Sequence, residues 1–233
     1  MTAAFILSEL LSMANPEKAA FLQGFFKTGP GQYAEGDVFL GLVAPLTRSI
    51  AKANKKTPLD ELQILIESKY HEARLCALLI VVEQFKKATE AERKKLYDFY
   101  LDNAARINNW DLVDVTCPYV VGLYLLDKDC SRLYELAESE CLWEQRIAMV
   151  STVTFIRNRE FTDTLALAEK LMTHKHDLMH KAVGWMLREV GKKDRETLTE
   201  FLEEYATRLP RTALRYAIEH YPEEQRQYFL KKK

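Results

Sequence analysis

The segment NNWDLVDVTCPYVVGLYLL, residues 108–126, is mostly apolar but contains two carboxylates, Asp111 and Asp114. At about 100° per residue, Asp114 shares an apolar helix face with Trp110, whereas Asp111 lies off that face. An ionised carboxylate buried there without partners would be very costly. The segment therefore predicts a helix from Trp110 to Leu126, in which Asp114 either has a structural partner or lines a concave site. Asp111 is interpreted as a local cap or structural acid.

The chain on either side of this segment also has helical patterns with recognisable ends. Asn15 and Pro16 are a cap and a first-turn proline, and Thr89 with Glu92 forms a capping box. Glycine (8 residues) and proline (7 residues) are scarce, which disfavours β-sandwiches and disordered tracts. Other helices are predicted to begin near residues 44, 58 and 71, to cover residues 131–138, 142–157, 161–172, 177–191, 195–207 and 210–220, and to continue from residue 222.

These patterns predict an all-α fold, because no stretch alternates convincingly over the length of a strand. Short connections make neighbouring helices antiparallel, and stacked pairs of helices make an α-solenoid. Trp110, Trp143 and Trp185 are 33 and 42 residues apart, intervals near the ~40–47-residue period of HEAT-type repeats. We therefore expect a single HEAT-like-repeat domain over residues 1–233.

Composition and charge narrow the class of protein. The formal net charge is −1, so the strongly basic balance of many nucleic-acid-binding domains is absent, although local charge matters more than the sum. The four cysteines form no Cys-x-x-Cys pair, which indicates free thiols in a reducing, cytoplasmic compartment. The N-terminal AAFILSELLSMA, residues 3–14, lacks a basic region and contains Glu9, so it predicts an amphipathic helix rather than a signal peptide. No apolar run is long enough to cross a membrane.

Two further tryptophan helices have a basic residue one turn after the indole. Arg146 follows Trp143 on a mainly apolar face, so it is either a structural partner of a carboxylate or a group that serves a site. Trp185 lies off the apolar centre of its helix, between Lys181 and Arg188. It either packs under a neighbouring helix or loop, or it presents a surface for a flat or cationic ligand or for nucleic acid.

Other motifs point to no cofactor chemistry. His176 and His180 are spaced by one helical turn, but no carboxylate or cysteine accompanies them at recognisable ligand spacing, so no metal site is predicted. The segment TGPGQYAEGD, residues 28–37, lacks the Lys-Ser/Thr of a phosphate-binding loop. It is interpreted as a turn with a positioning role.

Four blocks of sequence together resemble one known family. They are FFKTGPGQYAEGDVFLGL (25–42), NNWDLVDVTCPYVVG (108–122), LWEQRIA (142–148) and KAVGWMLREVGK (181–192). The chain resembles the AlkD-like DNA alkylation repair proteins, which are HEAT-like-repeat DNA glycosylases, over roughly residues 15–220.

The resemblance implies an alkylpurine DNA glycosylase whose solenoid binds double-stranded DNA on its concave face. The implied substrates are cationic N3- or N7-alkylated purines, and the implied reaction is hydrolysis of the N-glycosidic bond without a cofactor. A non-catalytic HEAT-like-repeat scaffold that binds DNA or protein is the alternative, and a monomer is expected in either case. The site residues expected are Asp114, Trp110 and Trp185 for catalysis and Arg146, Arg188 and Lys181 for contacts with DNA phosphates.

Overall fold

The computed structural model describes residues 1–232, and within them the regular secondary structure is helical. The one β-type contact in this part of the chain is an isolated bridge between Val38 and Tyr70. The predicted all-α fold is therefore confirmed. None of the helices among the described residues is long and apolar enough to cross a membrane.

The chain divides into two compact units, Met1–Val120 and Val121–Lys233. That the two units together form the single domain expected over residues 1–233 stays a prediction. The helices of the first unit are α1 (Ala3–Ser12), α2 (Pro16–Phe25), α3 (Ala44–Ala53), α4 (Leu59–Ile66), α5 (His71–Phe85), α6 (Glu90–Asp102), a 3₁₀ turn (Ala104–Arg106) and α7 (Trp110–Asp114).

Helix α5 is the centre of the first unit. It is buried almost all round, and it packs against α1, α3, α4, α6 and α7. A helix that is apolar on every side must be enclosed by other elements, so α5 serves as the core on which the rest of the unit is assembled. Two polar residues of its first turn, His71 and Glu72, are buried as well, and both bind partners outside the helix.

The predicted helix ends are confirmed where their signals are local. The Asn15 side chain accepts the Lys18 N–H at 2.9 Å, and helix α2 begins with Pro16. Thr89 and Glu92 exchange both hydrogen bonds of a capping box at the start of α6. These caps involve residues three apart in sequence, so their geometry follows directly from the local chain.

The connection between α2 and α3 is held against α5 by one carboxylate. Glu72 accepts the backbone N–H groups of Leu40, Gly41 and Leu42 at 2.8–3.1 Å. Gly41 has a φ of +85°, and a Cβ at this position would lie 2.2 Å from the carbonyl oxygen of Asn15. Glycine is therefore required where the loop passes the start of α2.

The predicted continuous helix from Trp110 to Leu126 is wrong. Helix α7 ends at Asp114, a π-helical turn covers Pro118–Gly122, and the short α8 covers Leu123–Leu125. Pro118 has no N–H, so the i→i−4 bond that would carry the helix past Asp114 does not form. Wide π-turns are frequent at functional sites.

The second unit is assembled around α13. Its helices include α9 (Ser131–Glu138), α10 (Leu142–Ser151), α11 (Val153–Arg157), α12 (Thr162–Leu171), α13 (Asp177–Lys193), α14 (Arg195–Tyr205), α15 (Arg211–Ala217) and α16 (Glu223–Lys231). The predicted helix over residues 142–157 is interrupted at Thr152, between α10 and α11. Helix α13 packs against α10, α12, α14 and α15, and a Cβ at Gly184 would lie 2.5 Å from the Ala213 carbonyl oxygen. Gly184 therefore lets α13 and α15 approach closely.

Candidate functional site

Helix α7 presents Trp110 and Asp114 on one face. The two residues are four positions apart, which places their side chains one above the other, and both are partly exposed. Leu112 and Val113, which lie between them in sequence, are fully buried. The Asn109 side chain accepts the Trp110 N–H at 2.9 Å. The sequence prediction that Asp114 shares the face of Trp110 is confirmed.

The Trp110 indole is held by aromatic neighbours and one hydrogen bond. It stacks on Phe26 with ring centroids 5.2 Å apart and meets the edge of Phe25 at 6.2 Å. Its Nε1–H donates to the Tyr33 hydroxyl at 3.3 Å. Tyr33 belongs to the TGPGQYAEGD segment, so this turn contacts Trp110, and its positioning role stays a prediction.

Asp114 lies at the C-terminal end of α7 and keeps access to solvent. The full cost of burying a carboxylate therefore does not apply to it. Asp114 also acts on the buried Tyr100. Burial raises the pKa of the Tyr100 phenol most, and the charges of Cys117 and Asp114 raise it further. A hydrogen bond to Thr116 lowers it. The Tyr100 hydroxyl and the Thr116 hydroxyl are 2.8 Å apart.

A buried charged network, which no sequence motif indicates, lies behind α7. His71 Nε2 is 2.8 Å from Asp111 Oδ2, and His71 Nδ1 is 3.2 Å from Asp37 Oδ2. The Arg74 guanidinium and the Asn108 amide both donate to Asp37 Oδ1, at 2.6 and 2.9 Å. Asp111 is thus a structural acid, as interpreted from the sequence, but its partner is 40 residues away.

The charges of this network stabilise one another. Burial alone lowers the pKa of His71, but the charge and hydrogen bond of Asp111 and the hydrogen bond to Asp37 outweigh burial and raise it to about 9. Burial raises the pKa of Asp37, but its bonds to His71 and Asn108 and the charge of Arg74 leave it below its usual value. At neutral pH His71 is therefore an imidazolium between two carboxylates.

A cavity of about 440 Å³ adjoins this network in the first unit. Its walls are mainly apolar, and the Asp111 side chain, 19% exposed, is among its few charged groups. The aromatic and charged side chains that line it include Phe21, Phe25, Phe26, Phe39, His71 and Asp111.

In the second unit, the Arg146 side chain is almost fully buried. It is 4% exposed, and its Nη1 donates to the Leu178 carbonyl oxygen at 2.5 Å. This bond ties α10 to the first turn of α13. Arg146 therefore has a structural contact whatever else it binds.

Trp185 lies on α13 and is partly exposed, as are the two basic residues predicted beside it. The Lys181 ammonium is 2.8 Å from Asp177 Oδ2, and the Arg188 guanidinium forms an ion pair with Glu219. Exposed ion pairs of this kind are worth only about 0–1 kcal/mol, so either cation can exchange its acid for another anion.

The histidines of the second unit have structural contacts. The His176 ring accepts the Leu178 N–H at 3.1 Å and caps α13, and the His174 ring accepts the His176 N–H at 2.9 Å. Within residues 1–232, no group of three or more His, Cys, Asp or Glu side chains could hold a metal ion. Cys76 and Cys117 are buried free thiols, as predicted.

Two solved structures have similar folds. One, described as a predicted DNA alkylation repair enzyme from Enterococcus faecalis, matches with a TM-score of 0.69 and 18% identity over 90% of this chain and 97% of its own. The other belongs to a family described as related to the HEAT-like repeat DNA glycosylases, with affinity for branched DNA structures. It matches with a TM-score of 0.59 and 14% identity over 93% of this chain and 83% of its own. At these identities the likeness establishes the HEAT-like-repeat fold alone.

Comparison by sequence assigns the family. None of the curated proteins compared with the chain matches it. The family model of the DNA alkylation repair enzymes matches residues 6–221, which is nearly the whole sequence and includes every residue of the candidate site. The chain belongs to the DNA alkylation repair enzyme family.

Proposed function

We propose that this protein is a DNA glycosylase that releases cationic N3- or N7-alkylated purines from duplex DNA. The observation that carries the proposal is the pairing of Trp110 and Asp114 on the partly exposed face of α7, in a chain of the DNA alkylation repair family. A carboxylate beside an aromatic ring attracts a cationic nucleotide, because both groups interact favourably with positive charge.

The chemistry requires little acid catalysis. An alkylated purine with a formal positive charge is already a good leaving group, and positive charge develops on the deoxyribose as the N-glycosidic bond breaks. Asp114 would stabilise this oxocarbenium-like state electrostatically. The same carboxylate would position or deprotonate the water that attacks the sugar.

The tryptophans would contribute attraction for the cation and exclusion of water. An aromatic face attracts a cation by about 0.5–2 kcal/mol, depending on desolvation. Trp110 is oriented before any ligand binds, because Phe26 and Tyr33 hold its ring. We propose that Trp185 also contributes an aromatic face for the cationic base.

The basic residues would neutralise DNA phosphates without reading the sequence of bases. Lys181 and Arg188 are partly exposed, so each would exchange its acidic partner for a phosphate. We propose that Arg146 contacts a phosphate while it keeps its bond to Leu178. We propose that the protein acts as a monomer and without a cofactor.

Release of 7-methylguanine or 3-methyladenine from methylated duplex DNA tests the reaction. Asp114→Asn is expected to lose most of the activity, because the amide has no negative charge to stabilise the sugar cation. Asp102→Asn is the matched control, since Asp102 is an exposed carboxylate on α6 of the same unit. Undiminished release by Asp114→Asn would contradict the mechanism.

Salt-dependent binding tests the basic residues. Arg188→Ala is expected to weaken binding to all duplexes alike and to lower the slope of log affinity against log salt by about 1. Arg132→Ala is the control, because Arg132 is an exposed arginine of α9 in the same unit, paired with Glu135. An unchanged slope in Arg188→Ala would make Arg188 a partner of Glu219 only.

A non-catalytic DNA-binding protein is the second candidate function. Phe21 and Phe25 are 69% and 54% exposed and stack with ring centroids 6.1 Å apart. Exposed aromatic rings bind unpaired bases by stacking. Tighter binding to a branched junction than to methylated duplex, without release of base by the wild-type protein, would favour this function.

A further inference from the structure

Helix α7 is too short to orient its own side chains. It has five residues, Trp110–Asp114, and isolated helices of this length are unstable in water. The direction of Trp110 and Asp114 therefore depends on contacts that α7 makes with other elements.

His71 makes one of these contacts in an arrangement that requires a full positive charge. Its two ring nitrogens face two carboxylates, Asp111 at 2.8 Å and Asp37 at 3.2 Å. An ionised carboxylate only accepts hydrogen bonds, and a neutral imidazole has a single N–H to donate. Both contacts form together only when His71 is an imidazolium.

The His71 ring is also fixed in place and sealed from water. It stacks on Phe39 with ring centroids 4.4 Å apart, lies 5.4 Å from Phe26 and is 2% exposed. Phe26 is the ring on which Trp110 stacks. The same packed cluster therefore contacts both His71 and Trp110.

Asp37 also binds Asn108, the residue two positions before Trp110. It accepts the Asn108 amide N–H at 2.9 Å while its other oxygen faces His71. The chain is thus held on both sides of Trp110: Asp37 binds Asn108 just before α7, and His71 binds Asp111 within α7.

We propose that His71 is a positioning residue: by joining Asp111 to Asp37 it sets the orientation of α7 and so of Trp110 and Asp114. The inference rests on the proposed glycosylase function for its catalytic consequence. His71 contacts no part of the proposed reaction directly and acts through α7.

The charges that face His71 come from three elements. Asp37 belongs to the loop before α3, Arg74 to α5 itself, and Asp111 to α7. Burial and Arg74 lower the pKa of His71, and Asp111 with Asp37 raises it to about 9. Both contacts of His71, with Asp111 and with Asp37, are therefore present at neutral pH, and one is lost as the pH rises through about 9.

His71→Gln is the first test, because glutamine is neutral and its amide bridges the two carboxylates poorly. Under single-turnover conditions, the rate of 7-methylguanine release is expected to fall about tenfold to a hundredfold, with DNA affinity changed less than about twofold. The wild-type rate should decline above pH 9, corrected for release without enzyme, and the His71→Gln rate should not. His220→Gln is the control, because His220 is an exposed histidine.

The second measurement needs no substrate. The indole N–H resonance of Trp110, observed by NMR between pH 7 and 10, should shift with a midpoint near 9 in the wild type. The shift should be absent in His71→Gln and in Asp111→Asn, which keeps the size of the side chain. Because the wild-type titration requires no variant, it decides the question even if His71→Gln does not fold.

The two proposals fail in different ways. A wild-type protein that releases no base but shows the Trp110 titration would refute the glycosylase and leave the positioning of α7 standing. A wild-type Trp110 signal that does not change between pH 7 and 10 would overturn the positioning role. So would a His71→Gln variant that keeps the wild-type rate and pH profile.

Discussion

The buried imidazolium predicts that the protein becomes less stable as the pH rises from 6.5 to 9.5. The folded state raises the pKa of His71 from its ordinary value of 6.5 to about 9. Folding therefore binds this proton more tightly than the unfolded chain does. The resulting stabilisation is fully present below pH 6.5 and is lost as the pH rises through 9.

The size of the effect follows from the change in proton affinity. Each tenfold change in proton affinity corresponds to about 1.4 kcal/mol, so the rise of the pKa from 6.5 to about 9 is worth about 3 kcal/mol. This is a large part of the roughly 5–15 kcal/mol that stabilises a typical domain.

Urea denaturation at pH 6.5, 8 and 9.5 measures the loss directly. The wild-type free energy of unfolding should fall by about 3 kcal/mol more than that of His71→Gln across this range. The variant series keeps the contribution of other titrating groups, such as Cys130, whose thiol has its pKa raised by burial to about 11, so the difference between the two series isolates His71. A difference that changes by less than about 1 kcal/mol between pH 6.5 and 9.5 would refute the assignment of an imidazolium.

Two further substitutions test packing and hydrogen bonding. Gly184→Ala should destabilise the second unit by about 1–3 kcal/mol, because the new methyl group would meet the Ala213 carbonyl oxygen at 2.5 Å. A denaturant midpoint equal to that of wild type would contradict this, since it would mean that α13 and α15 move apart at no cost. Glu72→Gln should cost about 1–3 kcal/mol, because the carboxylate accepts three backbone N–H groups and the amide keeps one acceptor oxygen. Hydrogen exchange at Gly41 should rise in this variant, and unchanged protection there would contradict the role of Glu72 in holding the loop.

Local signals predicted the helices and their ends well. The Thr89 capping box and the Asn15 cap depend on residues three apart, so the chain around them is sufficient to determine their geometry. The shared face of Trp110 and Asp114 follows in the same way from their four-residue spacing. The helix over Trp110–Leu126 was predicted too long, because its apolar pattern outweighed the missing N–H of Pro118.

The charged network was beyond the reach of such signals. His71 is 34 residues from Asp37 and 40 from Asp111, and no periodicity relates residues at these separations. The sequence placed Arg146 on a mainly apolar face, but it could not identify the partner of Arg146, which is a backbone carbonyl 32 residues away. A backbone partner has no residue type by which the sequence could reveal it.

The sequence by itself therefore determined the helical fold, the caps and the family. The fold and the caps depend on local residue spacing, and the family is recognised from sequence motifs. The tertiary structure alone decided which charges meet. It placed one imidazolium between two carboxylates behind α7, because packing α5, α7 and the loop before α3 together excludes water and leaves these groups to satisfy one another. Asp111, an unremarkable acid beside the proposed catalytic pair in the sequence, is in the fold the residue through which that pair is held.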